Sequence, residues 1–248
     1  MYNVAVGYNS GAAVTTGVEN VILGALAGDA ITTGSYNAAL GTSALGANVQ
    51  SSANVAIGNS ALASHNTSTA TSGYNVGIGF NAGVSVSTGV QNIIVGGLAG
   101  DALTTGERNV LMGHGALGTA NGSESRNTAI GWSALNAQDN DGNSQNTAVG
   151  YNAGASVTSG INNTILGALA GNTVDTGSSN VIIGKSAAVS AAGVDNEVNI
   201  YNGSVTARFQ GSASAWTFVS DERDKSDIQD LELGTEFVNK LKPRKFKW

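Results

Sequence analysis

The chain has no cysteine and a single proline, Pro243, and only 11% of its 248 residues are charged and 6% aromatic. Without cysteine, neither a disulfide framework nor a thiolate metal site is available. Proline removes a backbone donor, so its absence ahead of Pro243 suits a chain whose amides are committed to ladders. Basic residues are scarce: residues 1–220 hold 10 acidic and 4 basic side chains, while the last 28 residues hold 7 of each, so the net charge of −6 lies on the first region. An anionic surface argues against nucleic acid as a partner. No apolar run approaches the roughly 18 residues of a membrane span, and no basic stretch precedes an apolar one at the N-terminus, so membrane insertion is not expected. Acidic residues are scattered, with no recurrent carboxylate pair of the kind sugar cleavage needs.

What the chain has in quantity is glycine, 35 residues, and a returning pentapeptide: Asn, two mostly small or apolar residues, an aliphatic residue or Met, then Gly. It begins at Asn3, Asn20, Asn37, Asn54, Asn75, Asn92, Asn109, Asn127, Asn146, Asn163 and Asn180, with 17 residues between starts in seven of ten intervals and 17 to 21 throughout. A short unit at one period is a stacked coil. A longer repeat lies over it: the stretch from Tyr2 returns from Tyr74 and again, more loosely, from Asn146, at offsets of 72 and 71 residues. Each super-repeat is four coils.

Period-2 alternation places the second and fourth pentapeptide residues, such as Val4 and Val6 or Val76 and Ile78, on one face. The fourth position is expected to form the core of each coil. The third position is small in most coils but isoleucine at Ile22, Ile94 and Ile165, each in the second coil of its super-repeat. Strands apolar on both faces are normally buried on both. The outer face of these coils is therefore expected to pack on a neighbouring subunit, with Ile22, Ile94 and Ile165 as trimer-interface candidates. Glycine supplies the positive φ of sharp corners, which is expected at the pentapeptide Gly and at Gly17, Gly34, Gly89, Gly106, Gly160 and Gly177. The recurrent Asn is expected to stack as a ladder or bond across the corner. At roughly 4.8 Å per coil, about twelve coils make a rod of roughly 60 Å.

On these residues the chain resembles phage and viral tail-fibre shafts with Asn-x-Ala-Ile-Gly coils, and more distantly trimeric autotransporter adhesin heads. The resemblance covers about residues 3–200. It implies an all-β, parallel β-roll or β-solenoid of about 17-residue coils, assembled as a homotrimeric fibre, with a host surface receptor, a glycan being one candidate, as external partner and the virion tail fibre as location. A bacterial adhesin head is the alternative. The chain starts inside a repeat, so an attachment domain is expected to be missing or to belong to another chain.

The last residues sharpen the likeness. Ser220, Asp221, Arg223 and Lys225, then a helix expected around Gly234 to Leu241, then Leu241, Pro243, Phe246 and Trp248, resemble the opening of the intramolecular chaperone that ends many tail fibres, tail spikes and endosialidases. The family domain runs well beyond the tryptophan, so this is read as a short α/β stub. The resemblance implies autoproteolysis by Ser220 and Lys225, with the cut at Val219, since a hydroxyl needs a base and a desolvated lysine can act as one. The bland alternative is that Ser220 caps the next segment, with Asp221 and Glu222 in a first turn. The missing part of the domain should be needed to align the pair, so this stub is expected to be inactive. The domains are read as a repeat shaft at 1–196, a transition β-segment at 197–219 and the chaperone start at 220–248.

Other candidates are weaker. Asp139, Asp141 and Asn143 alternate around Gly142 like the start of a calcium loop, where a solvated turn is the alternative. Beyond that, no cofactor or metal is expected. His65 and His114 have no partner at ligand spacing and are read as surface or interface histidines. Trp132 and Trp216 either seal the rod or bind sugar. Threonines at Thr15, Thr16, Thr32, Thr33, Thr104 and Thr105 prompt an ice-binding solenoid, which would want alternating rather than adjacent threonines on every coil.

Overall fold

The computed structural model describes residues 2–67, 72–119, 122–140 and 142–210, together with the backbone of 217–218. Each pentapeptide forms one three-residue strand: β1 Val4–Val6, β2 Val21–Leu23, β3 Ala38–Leu40, β4 Val55–Ile57, β5 Val76–Ile78, β6 Ile93–Val95, β7 Val110–Met112, β8 Thr128–Ile130, β9 Thr147–Val149, β10 Thr164–Leu166 and β11 Val181–Ile183. They pair in chain order, parallel and in register, so that Ala5 faces Ile22, Ile22 faces Ala39 and Ala39 faces Ala56. The protein is an all-β parallel β-solenoid, and among the described residues there is no helix. Backbone bonds outside the strands repeat the same step, for example from the N–H of Leu26 to the carbonyl of Tyr8 at 2.8 Å and from that of Leu98 to that of Phe80 at 2.9 Å.

The recurrent Asn forms the expected ladder. The Asn75 Oδ1 accepts the backbone N–H of Asn92 at 3.0 Å, and the Asn92 Nδ2 donates across the coil to the Gly106 carbonyl at 2.9 Å. The same pair of bonds recurs at Asn20, Asn37 and Asn163. One buried amide per coil thereby satisfies a backbone donor of the next coil and an acceptor at the opposite corner of its own, which an apolar residue could not do.

The core lies on the other face from the expected one. The third pentapeptide residue points inward: Ala39, Ala56, Ile94, Leu111, Ala129, Ala148 and Ile182 are buried, while the second and fourth positions are half-buried or exposed. Ile22, Ile94 and Ile165 are fully enclosed within their own chain, so they cannot be trimer-interface residues. Their alternation with alanine has an internal reason. A β-carbon added to Gly83 would meet the Ile94 Cδ1 of the next coil at 2.8 Å, and one added to Gly100 the Leu111 Cδ1 at 2.8 Å, whereas Gly77 lies beneath Leu62 of the preceding coil, with its side-chain Cγ 2.7 Å from where a β-carbon would be. The coil is so narrow that a large residue on the strand needs a glycine at the corner of the preceding coil, and a leucine at that corner needs a small residue on the next strand.

The corners also differ from expectation. The pentapeptide glycines do lie at positive φ, for example Gly96 at 133°. Gly17, Gly34, Gly89, Gly106, Gly160 and Gly177 do not; a β-carbon there would run into a backbone carbonyl of the next coil, so glycine is needed for closeness rather than for φ. The left-handed positions fall instead on the residue before each Asn, such as Tyr36 and Arg108, and on leucines such as Leu45 and Leu117 at 51°. Corner threonines tie coils together: the hydroxyls of Thr15, Thr32 and Thr104 donate to the carbonyls of Thr32, Val49 and Gly122.

The stack continues one strand past residue 196, since β12 (Glu197–Tyr201) pairs parallel to β11. Then the direction reverses, and β13 (Thr206–Gln210) and β14 (Thr217–Phe218) add antiparallel. Glu197 takes the ladder position: its N–H donates to the Asn180 Oδ1 at 2.9 Å. A carboxylate has no donor to pass on. It accepts instead from the Ser190 backbone and hydroxyl and lies 3.2 Å from the Arg208 Nε, so the ladder ends there in an ion pair between a buried carboxylate and a half-buried guanidinium.

Candidate functional site

The strands turn two columns of aliphatic side chains outward. Val21 and Leu23, Ala38 and Leu40, Val55 and Ile57, Ile93 and Val95, then Val110 and Met112 occupy the second and fourth positions along one side of the sheet. Val21, Leu40, Ile57, Ile93, Met112 and Leu166 are all exposed. From β8 to β10 the second position becomes threonine, while Ile130, Val149 and Leu166 keep the fourth apolar. Contiguous apolar surface of this length marks an interaction face.

Beside it runs a second column, formed by the residue that follows each pentapeptide Gly. In the middle of the stack it reads Phe80, Gly97, His114, Trp132 and Tyr151, and the backbone ladder links each to the next coil. Phe80, Trp132 and Tyr151 are each more than half exposed. The His114 and Trp132 rings are stacked, with centroids 4.4 Å apart and planes 14° from parallel. Next to them lies an open groove of about 250 Å³, lined by Asp101, Thr119, Ser133 and Asn136 as well as the two rings. Partial burial raises the Asp101 pKa above the usual carboxylate value, against the pull of the Asp101 and Ala102 backbone N–H groups and of His114. The Thr119 hydroxyl donates to the Asn136 carbonyl across the groove. The column was legible in the sequence by aligning the coils at that one position.

The two histidines separate. His114 is on the surface, as expected, but His65 is fully buried in the lengthened coil between Asn54 and Asn75. Its Nε2 lies 3.0 Å from the Ser51 hydroxyl and 3.4 Å from the Asn75 Nδ2. Burial lowers its pKa to about 4, with the Ser87 backbone opposing, so the ring is neutral and Nε2 accepts from the ladder amide. Gln138 stands at the matching place in the other long coil, where its Oε1 accepts from the Asn146 Nδ2. Both side chains fill a corner that extra residues have widened.

Of the weaker candidates, Asp141 lies outside the described residues. The Asp139 N–H donates to the Thr158 carbonyl at 2.9 Å, and Asn143 forms a β-bridge with Ser125. Among the described residues no group of three His, Cys, Asp or Glu side chains is placed to hold a metal. Val219, Ser220 and Lys225, with the whole 220–248 segment and Trp216, lie outside the described residues.

Compared with known proteins, the chain matches no family model, no curated protein and no solved structure.

Proposed function

We propose that the chain is a structural and adhesive shaft segment of a homotrimeric tail fibre on a virion, contributing to attachment to a host surface receptor, with the start of an intramolecular chaperone at 220–248 that serves trimer folding. The observation that supports this reading best is the pair of outward aliphatic columns. A single solenoid has no use for valine, leucine, isoleucine and methionine on the outside of consecutive coils, and copies related by an axis along the rod bury them against one another. The interface residues are then Val21, Leu40, Ile57, Ile93 and Met112 rather than Ile22, Ile94 and Ile165.

The coil repeat and the Ser220-to-Trp248 motif support the same reading from the sequence side. Parallel stacking suits a shaft mechanically, because every coil is tied to the next by backbone bonds and by the Asn ladder. Small-angle scattering of the purified chain tests it. A rod of three-chain cross-section is expected, and a single-chain cross-section would defeat it.

A further inference from the structure

The first two super-repeats build the same four coils from related sequences, so positions at which they differ show what the parallel stack tolerates. Where the coils from Asn37 and Asn54 have Thr42, Ala47, Asn59 and Ala63, those from Asn109 and Asn127 have His114, Thr119, Trp132 and Asn136. Their strands keep the same parallel register. The fold is therefore met by threonine, asparagine and alanine at these positions. Among the exchanges between these coils, these four and that of Ser43 for Gly115 fall in one groove, beside Asp101, whose counterpart Asp29 is present in the first super-repeat.

Trp132 keeps 52% of its surface in solvent, although its ring could have been an asparagine. A half-exposed aromatic surface with a few fixed polar groups around a concavity is the composition of a small-ligand site. Here the polar groups are the Asp101 carboxylate, the Asn136 amide and the Ser133 and Thr119 hydroxyls.

We infer that the groove at Asp101, His114, Trp132 and Asn136 binds a neutral saccharide. The apolar C–H surface of a sugar packs on the ring pair, and its hydroxyls donate to the Asp101 carboxylate and exchange bonds with the Asn136 amide. An acidic glycan is disfavoured, because the carboxylate lines the groove and residues 1–220 hold 10 acidic against 4 basic side chains. A quaternary ammonium is disfavoured as well: the two rings are closed on each other and do not converge as a cage. The groove is formed within one chain, so the inference stands apart from trimer assembly.

The test applies the full chain to immobilised neutral oligosaccharides of glucose, galactose, mannose and N-acetylglucosamine, beside sialylated and uronic-acid-containing ones. Wild type is compared with the double variant His114→Thr, Trp132→Asn, which installs the residues of the first super-repeat, and with Asn136→Ala, which does the same at one position. Circular dichroism and native mass are recorded for all three. Binding to a neutral glycan is expected, falling at least tenfold in the double variant and several-fold in Asn136→Ala, with strand signal and assembly mass unchanged. Binding to no neutral glycan, undiminished binding in both variants or preference for the acidic glycans would overturn the inference. A change of assembly mass in the double variant would assign the ring pair to contact between copies of the chain, and would overturn it too.

Discussion

Ile93 and Ile94 are neighbours in β6 and face opposite surroundings: Ile94 is fully enclosed within its coil, whereas Ile93 is 43% exposed on the outer face of the sheet. The same substitution should therefore have two different consequences. Ile94→Asp buries an unpaired carboxylate and should cost on the order of 4 kcal/mol, seen as loss of the strand signal or a lower denaturation midpoint. Ile93→Asp should leave the coil folded and abolish self-association, read by native mass spectrometry beside circular dichroism. Self-association that survives Ile93→Asp would remove this face from the interface.

Asn92 sits within the ladder, with its Oδ1 accepting from the Asn109 N–H at 3.0 Å and its Nδ2 donating to Gly106 at 2.9 Å. Asn92→Ala leaves a buried donor and a buried acceptor without partners, a loss of about 3 kcal/mol. Because coils couple mainly to their neighbours, amide exchange should quicken at Asn109 and in adjacent coils while distant coils stay protected. Uniform loss of protection would show a different mode of coupling.

His65 makes stability depend on pH in a definite direction. Its folded pKa, about 4, lies below the unfolded value of 6.5, so the folded state disfavours the proton. The stabilisation is complete above about pH 6.5 and declines as pH falls to about 4, by about 3 kcal/mol in all. His65→Gln copies Gln138 and should remove that component, leaving the carboxylate titrations common to both proteins. Denaturant midpoints of the two between pH 4 and 7.5 check this; parallel curves would contradict it.

Gly89 has an ordinary backbone angle, yet a β-carbon there would press on the Gly106 carbonyl of the next coil. Gly89→Ala should cost about 1–3 kcal/mol by overpacking. Gly115→Ser should cost only about 1 kcal/mol, a left-handed penalty, because Ser43 already stands at the same place of the first super-repeat with φ 57°. Denaturation of both variants tells closeness from dihedral need.

The period, the strands, their parallel order and the Asn ladder were legible in the sequence, because each follows from a repeat that every coil obeys. The inner face was not. Valine and isoleucine at Val55 and Ile57 are more apolar than Ala56 between them, and hydrophobicity alone points to the wrong side. Width decides instead: beneath Leu62 there is room only for Gly77 on the next strand, and the larger apolar residues are left outside. The same geometry hid the corner role of leucine, since Leu45 and Leu117 hold left-handed angles that composition assigns to glycine. His65 reads as a surface or interface residue because nothing in its local sequence marks the widened corner it fills. His114 and Trp132 lie 18 residues apart and become one stacked pair only when coils are laid over each other.

The most direct measurement of the central claim is the native mass of the purified full chain at micromolar concentration, run beside its denatured mass. The account predicts an assembly of three identical chains, reduced to single chains by Ile93→Asp with circular dichroism unchanged. A wild-type protein that stays a folded monomer, with its outer aliphatic columns in water, would contradict it.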